Sequence, residues 1–352
     1  MFKKYSSLTN HYEGKFINAI VENGFNHDSI LWVAREKIHG ANFSFICNGI
    51  TVTAAKRSGV IGEVEQFYSS EGVIAKNKPK VLELYSDLVE LGVIGCVGDT
   101  IQLYGELAGV GVQAGTAHYG EKDFYAFDLL VHLSESKYMY LDDDVMSPLC
   151  ASNGIKVAPL LGYGTFEQLS KLPNAFSSVV GSMNSHTNMK VDGEWKEPVF
   201  PTSTCDNIDD IINLAEGYVL KPNTAMFIGN DRVSIKCKNS KFSEKSKSDK
   251  VISVPEPLNE KDMNMLNECI RYLNENRLKN VMSKIGTGSD IQPKMFGKIT
   301  GLLVQDALID ITKEHADFSE LFENVGTAKR VFNTTAKDIV REHWGKILNG
   351  EF

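Results

Sequence analysis

Up to about residue 238 this 352-residue chain is punctuated by short strand-like runs, whereas beyond about residue 250 its apolar residues fall at helical spacing. Such a change of pattern excludes one uniform architecture and predicts two differently built parts. From Ile30 to Arg57 the run ILWVAREKIHGANFSFICNGITVTAAKR is rich in β-branched and aromatic residues, and Asn48-Gly49 predicts a type I′ hairpin turn. Further strands are predicted over Ile101 to Leu107, Asp123 to Val131, Gly217 to Lys221 and Arg232 to Lys238. Lys80 to Leu91 predicts an amphipathic helix, since Val81, Leu82, Leu84, Leu88 and Leu91 share a face. The polar stretch 181 to 210 reads as loop-rich surface. The segment KNSKFSEKSKSDK, followed by the proline-bearing VISVPEPLNE, predicts a boundary near residue 250 and hence domains 1–250 and 251–352. Beyond it, Leu266, Cys269, Ile270, Leu273, Leu278, Val281 and Met282 trace a helical stripe, with more helix predicted over Thr300 to Thr312 and Thr335 to Leu348. The expected fold is α+β, with a small all-helical C-terminal domain.

Composition narrows the function classes. Hydrophobic residues are 42% and charged residues 23% of the chain, and no apolar run nears the ~20 residues a membrane span needs. No export signal is legible in MFKKYSSLTNHYEGKF, so the expected location is cytoplasmic. Six dispersed cysteines (Cys47, Cys96, Cys150, Cys205, Cys237, Cys269) form no C-x-x-C pair and read as reduced thiols. A formal net charge of -8 excludes general coating of nucleic acid, leaving any such binding to local basic clusters. The largest is the six-lysine tract from Lys236 to Lys250, whose distal half, with Lys245, Lys247 and Lys250, reads as linker.

The chemistry concentrates on Lys37 in the K-x-x-G of Glu36-Lys37-Ile38-His39-Gly40-Ala41-Asn42. Alone, that pattern is weak. It is followed in order by Lys56-Arg57-Ser58-Gly59, Tyr104-Gly105-Glu106-Leu107, Phe124-Tyr125-Ala126-Phe127-Asp128, Glu216-Gly217-Tyr218-Val219-Leu220-Lys221 and Ile235-Lys236-Cys237-Lys238. A lysine that attacks the α-phosphorus of ATP must lose its proton. At a reference pKa of ~10.4 only about one in a few thousand is neutral at pH 7, so neighbouring positive charge or desolvation is required. Lys236 and Lys238, two apart on one strand, face the same side and can supply that charge while stabilising the α-phosphate. Glu106 and Glu216, each beside a glycine, suit a ribose hydroxyl or a Mg²⁺ ion held directly or through water. Arg57 suits a phosphate or ribose, Asn42 an incoming 5′-phosphate, and Phe127 the face of an adenine.

These segments closely resemble the RNA ligase 2 family of bacteriophages, whose relatives include the kinetoplastid RNA-editing ligases. MFKKYSSL, WVAREKIHGANFS, KDFYAFD, IKCKNSKFSEK, NVMSKIG and FGK carry the likeness, which covers nearly the whole chain. The resemblance implies an N-terminal adenylyltransferase domain with twisted antiparallel sheets and a family-specific helical C-terminal domain. It implies three steps: Lys37 is adenylated by ATP, AMP passes to an RNA 5′-phosphate, and a 3′-hydroxyl expels AMP, with Mg²⁺ assisting and Mn²⁺ able to substitute. Glu36, Ile38, Asn42, Arg57, Glu106, Phe127, Glu216, Lys221, Lys236 and Lys238 would contact the nucleotide, metal or reacting phosphate. Arg277, Asp306 and Asp310 match polar positions used in sealing. Asp310 stands where glutamate is expected and Ala41 where threonine is common. The implied partner is RNA with 3′-hydroxyl and 5′-phosphate ends at duplex nicks, and the implied setting a phage-infected host cell, with a monomer as default. The alternatives are a DNA ligase or capping guanylyltransferase, which normally append an OB-fold, or a non-catalytic RNA-binding relative. G-x-x-x-x-G-K-[ST] is absent, which speaks against a P-loop ATPase.

Overall fold

The structure is a computed structural model. It describes residues 1–62, 64–95, 99–134, 137–185, 190–191, 194–195, 197–200, 202–203, 207–243, 252, 255–286 and 291–352. Cys96, Cys205, Lys245, Lys247 and Lys250 lie outside these, as do the residues at the expected boundary near 250. The chain forms two compact units, Met1–Ser253 and Val254–Phe352.

The first unit is α+β and holds two main sheets. One is seven-stranded, with Ala41–Cys47, Thr100–Ala108 and Asp123–His132 as its central antiparallel ladder. The other is five-stranded, ordered Thr9–Asn10, Ile235–Lys238, Gly217–Pro222, Trp32–Glu36, Leu160–Gly164. Phe43, Phe45, Leu103 and Phe124, all fully buried, pack with Val81, Leu84 and Leu88 of a covering helix into the main core. That helix spans Glu71–Glu90, nine residues earlier at its start than predicted. Pro79 reads as a helix breaker, but it sits on the exposed face, while Val73, Asn77 and Val81 continue the buried stripe across it. The turn at Asn48 also differs from prediction. Gly49 (φ +85°) is its first central residue, the second central residue lacks positive φ, and Asn48 instead accepts from the Ile50 and Thr51 N–H groups; type I′ would require positive φ at both. In the stretch 181–210, described residues form a short helix, Val180–Ser185, and a small ladder, Lys190–Val191 with Glu194–Trp195.

The second unit is helical. The stripe from Leu266 to Met282 is two helices, Glu260–Ile270 and Glu275–Ile285, because the Asn274 side chain accepts from the Arg277 N–H and starts the second. Phe296–Glu314 and Val325–Asn349 complete it, each longer than the predicted segment, and Leu278, Leu303, Phe332 and Val340 lie in its core. Among the described residues no helix is long and apolar enough to cross a membrane.

Candidate active site

Sheet register assembles the site. Gly217–Pro222 sets Tyr218 opposite Glu36 on one side and Gly217 opposite Lys238 on the other. One residue past Glu36, the Lys37 N–H donates to the Gly217 carbonyl at 2.8 Å, which brings Lys37, Glu216 and Lys238 to one end of the sheet. Glu216 then bridges the two lysines. One carboxylate oxygen accepts from Lys37 Nζ at 2.8 Å and the other from Lys238 Nζ at 2.7 Å. His39 Nδ1 lies 3.3 Å from the oxygen that Lys37 uses. Two glycines permit this closeness. A Cβ on Gly217 (φ +133°) would lie 2.0 Å from the Cys237 carbonyl oxygen, and one on Gly40 would lie 2.2 Å from that of Leu107.

Beside these groups opens a cavity of about 320 Å³, within the usual range for small-molecule sites. Its wall contains Glu36, Lys37, Ile38, Asn42, Arg57, Glu106, Phe127, Lys221, Lys236 and Lys238. Glu216 stands behind Lys37 and Lys238 rather than in the wall. Asn42 and Glu106 are direct cross-strand partners. Phe127 shares its face with Tyr125, as strand alternation predicts, while Phe124 and Ala126 face the main core. The ladder pairs Tyr104 with Asp128 and Gly105 with Ala126, so Phe127 is the extra residue of a β-bulge, turned toward the cavity with its ring edge-on to Tyr5 at 5.0 Å. The Arg57 guanidinium donates to Ser7 Oγ at 3.2 Å. Lys236 lines the cavity while Cys237 is buried on the far side of the strand.

The carboxyl groups are driven apart in acidity. Burial alone would raise Glu216, but His39, Lys37 and Lys238 outweigh it and hold the group at about 2. Burial lifts Glu106 to about 7, with the nearby Glu216 charge adding to the rise and Lys37 opposing it. Burial also lifts Glu36 to about 7, against the hydrogen bonds it accepts from Ser178 Oγ (2.7 Å) and the Val179 N–H (2.8 Å). Lys236 is pushed down by burial and then by the ammonium groups of Lys238 and Lys37. Such divergence among neighbours marks functional sites.

Beneath the cavity lies a buried ionic lattice that sequence reasoning missed. Asp128 accepts from both terminal nitrogens of Arg232 (2.5 and 2.9 Å), from Lys221 Nζ (2.8 Å) and from the Tyr5 hydroxyl. Lys221 also reaches the Phe127 carbonyl (2.7 Å) and Asp143 (3.1 Å), which occupies all three of its ammonium donors. Arg35 spends its donors on Asp143, Glu197 and the Ala158 carbonyl. Three cations thus balance three carboxylates. The available signal was Arg35 itself, a charged residue that directly follows the apolar run ILWVA.

Within the helical unit, Arg277 bonds Asp306 through its carboxylate and its carbonyl (2.7 Å each) and Asp310 at 2.8 Å, tying Glu275–Ile285 to Phe296–Glu314. Among the described residues no three or more His, Cys, Asp or Glu side chains form a metal-ligand cluster.

Two sheets carrying a lysine-rich cavity at strand ends, followed by a helical unit, have the architecture of a nucleotidyltransferase-type ligase. A sequence model described as RNA ligase matches residues 30–238, and one described as T4 RNA ligase 2 C-terminal matches residues 256–338. The chain belongs to the RNA ligase family, and its C-terminal match identifies the RNA ligase 2 type. It is 24% identical over 370 aligned residues to RNA-editing ligase 2, mitochondrial, of Trypanosoma brucei brucei, covering 89% of this chain and 84% of that protein. A Naegleria gruberi RNA ligase solved with ATP and Mn is similar at TM-score 0.45 and 17% identity, over 70% of this chain and 60% of that one. A form with AMP and Mn gives 0.43 and 18%, over 70% and 59%.

Proposed function

We propose that this protein is an ATP-dependent RNA ligase that joins 3′-hydroxyl and 5′-phosphate RNA ends through an AMP carried on Lys37. The observation that carries the reading is the bridge of Glu216 between Lys37 and Lys238, with Lys236 beside them on the cavity wall. In the first step the neutral Lys37 amine attacks the α-phosphorus of ATP, an N–P bond forms, the bond to pyrophosphate breaks and the amine loses its second proton to solvent. Glu216 orients the amine, while Lys236 and Lys238 balance charge on the phosphate. The bulged Phe127 ring supports the adenine, with Glu36 and Ile38 beside it. Arg57 and Asn42 then receive the 5′-phosphate to which AMP passes, and the 3′-hydroxyl displaces AMP to close the backbone. Lys221, with its ammonium donors taken, acts as the floor of the pocket. Glu106 offers a hard oxygen donor at the cavity wall, which fits Mg²⁺, an ion that needs only one or two carboxylates alongside substrate phosphates. When bound there, with Glu216 behind, the metal would neutralise phosphate charge.

The substrate we assign is a nick in duplex RNA, on the strength of the family resemblance and the matched C-terminal unit, where Arg277, Asp306 and Asp310 are proposed to serve sealing. Labelled ATP with Mg²⁺ should give an acid-labile, alkali-stable protein adduct. No adduct with any nucleotide would sink the reading, and an adduct from GTP alone would favour guanylyl transfer. A chain ending at residue 250 is expected to keep adduct formation while sealing nicked RNA at least about tenfold more slowly. Sealing by that chain at the full rate would remove the helical unit from the mechanism.

Glu106 predicts the pH dependence. Its pKa of about 7 means that the carboxylate able to bind a cation forms only as pH rises through 7. Mg²⁺-dependent adduct formation should therefore climb between about pH 6 and 8 with an inflection near 7, and Glu106→Gln should lose that inflection and about 10- to 100-fold in rate. An unaltered profile in the variant would assign the inflection to another group. For stability the sign is opposite: a raised carboxyl favours the fold most below its unfolded value, and that contribution is lost as pH rises through 7.

A further inference from the structure

Away from the cavity, three lysines gather around one buried carboxylate. Asp123, 5% exposed in its side chain, receives Lys76 Nζ at 2.8 Å and Lys156 Nζ at 2.9 Å on the same oxygen, while its other oxygen accepts from the Phe124 N–H. Lys80, one helical turn after Lys76, reaches the Gly154 carbonyl at 2.5 Å, and the Lys156 ammonium lies 5.3 Å from the centre of the Tyr125 ring. Each ammonium uses one of its three donors in these contacts. The cluster holds three positive charges against the single charge of Asp123. The excess is felt within it: Lys80 is pushed down by burial and then by Lys76 and Lys156, with Asp123 and Glu83 only partly offsetting them. A like-charged i,i+4 pair also weakens a helix unless an anion joins it.

We propose that Lys76, Lys80 and Lys156 form a phosphate-binding station that grips the sugar-phosphate backbone of the RNA substrate away from the reacting ends. The proposal rests on the RNA ligase reading above. Asp123 holds Lys76 and Lys156 in place, and the spare donors take one phosphate. Placement favours a polyanion over an isolated ion. Asp123 lies four residues before Phe127 on the strand Asp123–His132, about 13 Å along it, or roughly four nucleotide rises at 3.4 Å each. A strand whose end lies at the cavity is therefore long enough to reach the station within a few nucleotides.

The test uses the full chain carrying Lys76→Ala and Lys80→Ala. Both sit on a helix where alanine is favourable, and Asp123 keeps Lys156, so the fold should persist, which a thermal melt checks. Binding of fluorescent nicked duplex RNA is measured across salt concentrations. The variant should bind about tenfold more weakly, with the slope of log K against log salt shallower by about 1, while the adduct with labelled ATP forms as in the parent. Lys76→Arg with Lys80→Arg should restore affinity and slope. Parental RNA affinity in the folded alanine variant would overturn the station alone, as would an arginine variant as weak as the alanine one. Absence of the adduct in the parent protein would count against the proposed function instead.

Discussion

Replacing Lys37 with alanine is expected to abolish the covalent adduct formed from labelled ATP, leaving the folded protein able to bind nucleotide but unable to hold AMP. In the proposed step Lys236 and Lys238 balance phosphate charge rather than attack, and Lys221 has committed all its donors to Asp128, Asp143 and the Phe127 carbonyl. A missing covalent nucleophile typically costs several orders of magnitude in rate, so the expected signal is background. Persistence of an alkali-stable adduct at even about a tenth of the parental level would show that another residue carries the AMP. Sealing of RNA that already bears a 5′-adenylate should survive in the same variant, since that step does not use the lysine amine as nucleophile.

The second large effect is on stability. Asp128→Ala removes the shared acceptor of Arg232, Lys221 and the Tyr5 hydroxyl, taking the carboxylate partner from the almost fully buried Arg232 and leaving Lys221 with Asp143 and the Phe127 carbonyl. Breaking a buried ion pair from one side costs about 3 to 5 kcal/mol, far more than a surface pair contributes. Urea unfolding followed by fluorescence should show that loss, and a change below about 1 kcal/mol would mean that the lattice does not hold the unit together. The acid limb should change as well. Burial alone would raise Asp128, but Arg232 and Lys221 hold it below the usual carboxylate range. Its stabilising contribution is therefore present above the unfolded value near 4 and is lost as pH falls through that value toward the lower folded one. The variant should lack that part of the acid dependence. Because Tyr5 packs edge-on against Phe127, loosened nucleotide binding should accompany the loss of stability.

Some of this was legible in residue order. Strands at 101–107, 123–131 and 217–221 announce themselves because β-branched and aromatic residues there are bounded by Gly, Asn or Asp, and the C-terminal helices because their apolar residues recur at helical spacing. Other features had no local signature. The helix that begins at Glu71 crosses Pro79, and only burial of Val73 and Asn77 shows why it does. The bulge that brings Asp128 to the same side as Phe127, where both meet Tyr5, depends on how Asp123–His132 registers against Thr100–Ala108, and pairing register is a property of two strands. Arg35, Asp128, Asp143, Glu197 and Arg232 are scattered over some two hundred positions, and nothing in their spacing links them.

The sequence by itself determined the kind of fold, the order of the motif segments around Lys37, and the family to which they belong. These follow from short-range rules: side-chain type, period and spacing within a segment. Tertiary structure decided which of the candidate groups face the cavity and in what state. It set Glu216 behind Lys37 and Lys238 rather than in the wall, closed Lys221 into a buried lattice, and separated Glu106 from Glu216 by burial and neighbouring charge to about 7 and about 2. Desolvation and Coulomb interaction act through space, so the same carboxyl group can end as acid or base according to what folding brings beside it.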